Sequence, residues 1–115
     1  MDQFVRVLIV DDHHDFAQSL QQGLELLGHR TEVAHDAPTA LLAAQSFAPE
    51  VALVDIMLPV VDGYDLGGRL RERGVRHLIA VTGTAKPELS TAAGFDAHFG
   101  KPLELDELDR VLRAL

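Results

Sequence analysis

The feature that most constrains this chain is a regular alternation of short, β-branched apolar runs with segments of helical periodicity. Nearly continuous apolar runs are typical of strands buried on both faces of a parallel sheet. At 115 residues, the chain suits an open five-stranded sheet and is too short for an eight-stranded barrel. Five β-α units therefore predict one α/β domain, residues 1–115, with helices on both faces of the sheet. The strands are expected at residues 4–10, 31–35, 51–54, 77–81 and 96–99.

The segments between these runs carry signals for helix starts, helix ends and buried stripes. Apolar residues recur every three or four positions from Phe16 to Leu27, and Gly28 follows where a helix would end. Asp36 can accept a hydrogen bond from the first turn of the next helix, so it is expected as an N-cap. The helices are predicted within residues 16–27, 37–47, 64–73, 87–94 and 105–115.

Composition narrows the possible functions. The chain has 18 acidic and 10 basic residues, a formal net charge of −8, which argues against a nucleic-acid partner. It has no cysteine, so it has no disulfide, thiol nucleophile or cysteine-zinc site. The longest apolar runs fall far short of the ~20 residues that a membrane span needs, and no signal-like leader opens the chain. We therefore expect a soluble, cytoplasmic domain without a membrane partner.

Reactive side chains follow four of the five predicted strands. Asp11 and Asp12 follow the first strand, Asp55 follows the third, Thr82 follows the fourth, and Lys101 comes just after the fifth. A single acid in such a position is usually a loop residue or a helix cap. Three acids at one sheet edge repel one another, and a divalent cation would relieve that repulsion. Because the donors are oxygens and not thiolates, Mg²⁺ or Mn²⁺ is favoured over zinc.

Four short motifs at these strand ends carry a resemblance to a known family. They are Val10-Asp11-Asp12, then Val54-Asp55-Ile56-Met57-Leu58-Pro59 with Asp62-Gly63, then Val81-Thr82-Gly83, then Gly94-Phe95-Asp96-Ala97-His98-Phe99-Gly100-Lys101-Pro102. Each motif alone is weak, but all four in order make a specific signal. The chain resembles the receiver domain of two-component response regulators, of the chemotaxis-regulator type, over essentially its whole length. The resemblance implies a flavodoxin-like, doubly wound parallel sheet of order 2-1-3-4-5.

The resemblance also implies a set of roles at the acidic edge. Asp55 would be the phosphoacceptor, taking a phosphoryl group from a sensor histidine kinase or a histidine phosphotransfer protein. Asp12 and Asp55 would bind Mg²⁺ (or Mn²⁺) directly, Asp11 through water, and Met57 through its backbone carbonyl. Such a protein is a phosphorylated signalling domain with some autodephosphorylation and is not a turnover enzyme. It signals to a downstream protein by protein–protein contact.

Thr82 and Lys101 would contact the phosphoryl group in that family, and the Lys101-Pro102 bond is expected to be cis. Together with Thr82, the position three residues before the lysine forms the switch; it usually carries Tyr or Phe, but here it is His98. Histidine is smaller and titrates near neutral pH, so the coupling could be weaker or pH-dependent. The stretch between Thr82 and Lys101 is about one helical turn short for the family, roughly 4 residues. The fourth helix, at 87–94, should therefore be short or irregular.

Other functions fit the same fold less well. A phosphatase of the haloacid-dehalogenase kind needs a second acid two residues after its nucleophile, where this chain has Met57. A flavodoxin-type cofactor carrier needs a hydroxyl- and glycine-rich phosphate loop after the first strand, where two acids and two histidines stand. A degenerate receiver that only binds a partner remains a third alternative. Because no output region follows Leu115, we expect either a single-domain regulator or the C-terminal receiver of a hybrid kinase.

The histidines outside the motifs are expected to have structural roles. His13 and His14 are adjacent and so cannot share one helix face, which favours a solvated helix start over a metal site. His29, His35 and His77 have no ligand spacing and are expected at the surface or half-buried.

Overall fold

The structure is a computed structural model that describes residues 4–83 and 93–115. In chain order, these ranges contain β1 (Arg6–Val10), α1 (His14–Leu26), β2 (Arg30–Ala34), α2 (Ala37–Ser46), β3 (Val51–Val54), α3 (Gly63–Glu72), β4 (His77–Thr82), β5 (Ala97–Gly100) and α4 (Leu105–Arg113). The five strands form one sheet in the order β2-β1-β3-β4-β5, and every neighbouring pair is parallel. The predicted sheet and its order are confirmed.

The helices cover both faces of the sheet, as the alternation of elements predicted. Along β1, Leu8 and Val10 point into one core, which also contains residues of α2 and α3. Val7 and Ile9 point into the other core, with residues of α1 and α4. Successive side chains of a strand point to opposite faces, so a strand that is apolar at every position supplies both cores.

Local signals define the ends of the first two helices. The Asp36 carboxylate accepts a hydrogen bond from the Thr39 N–H at 2.9 Å, so the predicted N-cap is confirmed. His13 caps α1 in a similar way, since its Nδ1 accepts from the Phe16 N–H at 3.2 Å. Gly28 follows α1 with a φ of +102°, a left-handed conformation that favours glycine.

His29 was expected at the surface or half-buried, and this was wrong: it is buried, only 3% exposed. Its Nε2 donates to the Asp109 carboxylate at 2.6 Å. A buried imidazole needs such a partner, and this one comes from α4, far away in the sequence.

The predicted fourth helix at 87–94 falls almost entirely on residues 84–92, outside the described residues, and stays a prediction. Within 4–83 and 93–115, no helix is long and apolar enough to cross a membrane.

Candidate functional site

Three carboxylates meet at the carboxyl edge of the sheet, where β1 and β3 end side by side. The backbone N–H of Asp11 donates to the Ala34 carbonyl at 3.0 Å, and that of Asp55 donates to the Val10 carbonyl at 2.9 Å. These bonds continue the sheet ladder by one residue, so both acids are fixed by the strands themselves. Asp11, Asp12 and Asp55 offer carboxylate oxygens that lie within 4.8 Å of one another. Asp11 and Asp55 are buried, whereas Asp12 is exposed.

The Lys101 side chain bridges the two buried acids. Its Nζ donates to Asp11 Oδ2 at 2.9 Å and to Asp55 Oδ2 at 3.3 Å. The lysine follows β5, and its peptide bond to Pro102 is cis, as expected. A cation from one strand end thus reaches acids from two others, although Lys101 is 90 residues from Asp11 in sequence.

The electrostatics of the pocket are those of a site with excess negative charge. Burial raises the pKa of Asp11, outweighing the hydrogen bonds from Lys101 and from the His13 backbone. Burial acts to lower the pKa of Lys101, but its hydrogen bond to Asp11 and the nearby carboxylates outweigh burial and raise that pKa. One ammonium cannot balance three carboxylates. Two formal negative charges remain, which matches the charge of one divalent cation.

The donor set fits a hard divalent cation. Carboxylate and carbonyl oxygens are the ligands that Mg²⁺ and Mn²⁺ prefer. Three carboxylates, two of them buried, converge within the distance that one ion could span. Among the described residues, no histidine or further acid joins this cluster.

The loop after β3 is held against the start of α3. The Asp55 Oδ1 accepts a hydrogen bond from the Met57 N–H at 2.9 Å, and the Gly63 N–H donates to the Ile56 carbonyl at 3.3 Å. A Cβ on Gly63 would lie 2.6 Å from the Ile56 Cα and 2.7 Å from the Asp55 carbonyl oxygen. Only glycine permits this close approach, which fixes the backbone beside Asp55.

The remaining predicted residues lie at or near the same edge. Thr82 ends β4, is buried and pairs in register with Gly100, the residue before Lys101. Met57 is in the loop after Asp55 and is 62% exposed. His98 is half-buried on β5. No described hydrogen bond or ion pair links Thr82 or Met57 to the Lys101 ammonium.

Three contacts at the site were not predicted from the sequence. The Lys101 Nζ lies 4.4 Å from the centroid of the Phe16 ring. The His35 Nδ1 donates to the Asp11 carbonyl at 2.9 Å, and His14 stacks on His35 with ring centroids 3.6 Å apart. Helical spacing indicates only that Phe16 faces the core. The spacing cannot indicate that the Phe16 ring contacts the Lys101 ammonium, which is 85 positions later in the sequence.

This fold and this acidic edge define a class of signalling domain. The sequence profile of the family described as "Response regulator receiver domain" matches residues 7–113. The chain therefore belongs to the response regulator receiver domain family, whose members are signalling domains and not turnover enzymes.

Individual relatives agree with this assignment. The response regulator MprA of Mycobacterium ulcerans is 36% identical over 116 residues, which is 96% of this chain and 50% of the relative. The chain thus spans about half the length of the curated relatives it matches. A CheY-like receiver structure from Methanospirillum hungatei is 32% identical with a TM-score of 0.86, covering 97% of this chain and 93% of the other.

A third relative carries a modification. It is a response regulator from Burkholderia pseudomallei whose structure has a phosphorylated aspartic acid and a calcium ion. It is 27% identical with a TM-score of 0.85, and the match covers 93% of this chain and 65% of the other.

Proposed function

We propose that this domain, residues 1–115, accepts a phosphoryl group on Asp55 in a two-component phosphorelay. The observation that carries the proposal is the buried Asp55 carboxylate at the end of the central strand. Its two oxygens accept hydrogen bonds from the Met57 N–H and the Lys101 ammonium. The donor is a phosphohistidine of a sensor histidine kinase or of a histidine phosphotransfer protein.

The transfer requires one bond to form and one to break. An Asp55 carboxylate oxygen attacks the phosphorus, the new O–P bond gives an acyl phosphate, and the P–N bond to histidine breaks. The histidine nitrogen keeps the bonding electron pair and then takes a proton from solvent. Catalysis of such a transfer is mostly positioning and neutralisation of charge on the phosphoryl oxygens. Lys101 supplies positive charge directly beside Asp55.

A divalent cation is part of the proposal. Asp12 and Asp55 would hold Mg²⁺ or Mn²⁺ directly, Asp11 through water, and Met57 through its backbone carbonyl. The ion supplies positive charge close to where the phosphoryl oxygens arrive. The excess negative charge of the pocket supports this assignment, as does the calcium ion in the Burkholderia relative.

Thr82 and His98 are proposed to transmit the signal. The Thr82 hydroxyl is at the buried end of β4, and we assign it a hydrogen bond to the phosphoryl group. His98, two strand positions before Gly100, takes the place of the family's aromatic switch residue. Phosphorylation would bias an existing equilibrium between two arrangements of these residues, which a downstream protein partner reads by direct contact. Hydrolysis of the acyl phosphate by water, assisted by the same residues, returns the domain to its resting state.

The test is a measurement of intact mass after incubation with acetyl phosphate. We expect one added phosphoryl group in the presence of Mg²⁺, none with excess EDTA, and none in Asp55→Ala. Asp65→Ala is the matched control, because Asp65 is an exposed acid on α3 that pairs only with the nearby Arg69 among described residues. It should be phosphorylated like the wild type. An unmodified wild-type protein under all conditions, or an adduct that persists in Asp55→Ala, would contradict the proposal.

A further inference from the structure

The Lys101 ammonium has a neighbour that the phosphorylation chemistry does not account for. Besides its bonds to Asp11 and Asp55, at 2.9 and 3.3 Å, it lies 4.4 Å from the centre of the Phe16 ring. A cation at this distance over an aromatic face is attracted by the ring's quadrupole. The ammonium therefore has three close neighbours, two carboxylates and one ring.

Phe16 is itself firmly placed. It is in the first turn of α1, and its N–H donates to the capping Nδ1 of His13 at 3.2 Å. Its half-buried ring packs on the core formed by α1, α4 and the sheet. Because α1 begins just after the acidic pair that follows β1, its first turn is adjacent to the pocket. The Phe16 ring is thus positioned by α1 and by the core, and the flexible Lys101 side chain can pack against it.

An aromatic face suits this pocket better than a further polar group. The pocket already holds more carboxylate charge than Lys101 balances, so another acid would add repulsion. An aliphatic side chain would fill the space but would not attract the cation. When a divalent cation engages Asp11, the lysine loses part of its attraction to that residue. The ring keeps its attraction and still favours a position beside Asp55.

We propose that Phe16 is a positioning residue for Lys101, holding the ammonium beside Asp55 by a cation–π contact. The functional consequence of this contact rests on the proposed phosphorylation of Asp55, whereas the contact between Phe16 and Lys101 can be tested without phosphorylation. Phe16 acts through Lys101 and does not itself touch the phosphoryl group. Its removal should therefore affect reactions that depend on the lysine and have no effect where the lysine is absent.

The geometry can be tested without any phosphorylation. The chain has only two lysines, Lys86 and Lys101, so ¹³C-labelled lysine gives two sets of side-chain NMR signals, which Lys86→Arg assigns. The ring current of Phe16 should shift the Lys101 Hε signals upfield, and Phe16→Leu should abolish that shift. Phe4→Leu is the matched control, because the Phe4 ring carries a different cation, the Arg113 guanidinium, at 5.0 Å. Lys101 signals that are the same in wild type and Phe16→Leu would overturn the proposal.

The functional test uses acetyl phosphate with saturating Mg²⁺ and follows phosphoryl adduct formation with time. We expect Phe16→Leu to slow formation about two- to fivefold, the effect of a partly exposed cation–π contact, and Phe16→Tyr to restore it. In a Lys101→Met background, Phe16→Leu should have no further effect. An equal slowing in that background would mean that Phe16 acts through packing and would overturn the proposal. If the wild type takes up no phosphoryl group, the proposed function fails, while the NMR comparison still decides the role of the ring.

Discussion

Replacing Lys101 by Met should reveal how strongly the acidic pocket depends on its single ammonium. The change removes one cation and leaves Asp11 and Asp55, whose side chains are only 3% and 9% exposed, without it. Each ion pair is worth about 5 kcal/mol of direct attraction at its observed distance and an effective dielectric constant of ~20. Most of this is offset by the cost of removing the charges from water.

The expected net effect follows from the burial of the three groups. Removing one partner of a fully buried pair costs about 3–5 kcal/mol, but the Lys101 side chain is 25% exposed. We therefore expect the free energy of unfolding to fall by about 2–3 kcal/mol in EDTA. Burial already raises the pKa of Asp11, and without the lysine this carboxyl takes up a proton more readily. When the pKa of an acid is higher in the folded than in the unfolded state, the protein becomes more stable as the pH falls through the folded-state pKa. The stability lost on replacing Lys101 should therefore be smaller at acidic pH.

Urea denaturation of both proteins, with EDTA and with MgCl₂, measures the effect. If the ammonium and Mg²⁺ share the same carboxylates, Mg²⁺ should stabilise Lys101→Met more than it stabilises the wild type. The control is Arg69→Met, which removes a cation from an exposed pair with Asp65, 3.7 Å apart; its loss should stay below about 1 kcal/mol. A Lys101→Met protein as stable as the wild type in EDTA, with no greater gain from Mg²⁺, would refute the electrostatic argument.

Two further predictions concern the fold, and both are measured by urea denaturation. Gly67→Ala should lower the free energy of unfolding by about 1–3 kcal/mol, because a Cβ at position 67 would lie 2.7 Å from the Phe95 ring. Gly68→Ala should raise the free energy of unfolding by about 0.5–1 kcal/mol, because a Cβ at position 68 would have nothing within 4 Å. Equal effects of the two substitutions would contradict the packing argument. Asp109→Asn should cost about 1 kcal/mol at neutral pH. Burial acts to raise the pKa of Asp109, but the hydrogen bonds that its carboxylate accepts from His29 and Arg113 outweigh burial and lower that pKa. The Asp109 carboxylate therefore stabilises the protein at pH values above its unfolded-state pKa, and this stabilisation is lost as the pH falls through the lower folded-state pKa. If Asp109→Asn destabilised the protein equally at neutral and acidic pH, this explanation would be contradicted.

The sheet was predictable because burial on both faces leaves a strong pattern. The strand expected at 51–54 is the observed β3, and the other strands differ by one or two residues at their ends. The first strand begins at Arg6 and not at Phe4, which is 55% exposed and whose ring contacts His29 and Arg113. Such a contact depends on the final arrangement of distant segments, which local periodicity does not encode.

The site was predictable for a different reason. Parallel strands bring their carboxyl ends to one edge, so acids that follow β1 and β3 have to meet there. The sequence could not indicate that Phe16 lies under Lys101, since the two are in different elements and the helical spacing of Phe16 is fully explained by the core. The burial of His29 was missed for the same reason, because its partner Asp109 is 80 residues away.

The ladder bonds of Asp11 and Asp55 have a consequence for ligand binding at this edge. Because their N–H groups donate to Ala34 and Val10, the backbone positions of the two acids are set once the sheet has formed. Their carboxylates can then adjust to a ligand by side-chain rotations, which take picoseconds to nanoseconds. The two acids are thus preorganised, so that little conformational entropy is lost at these positions when a ligand binds.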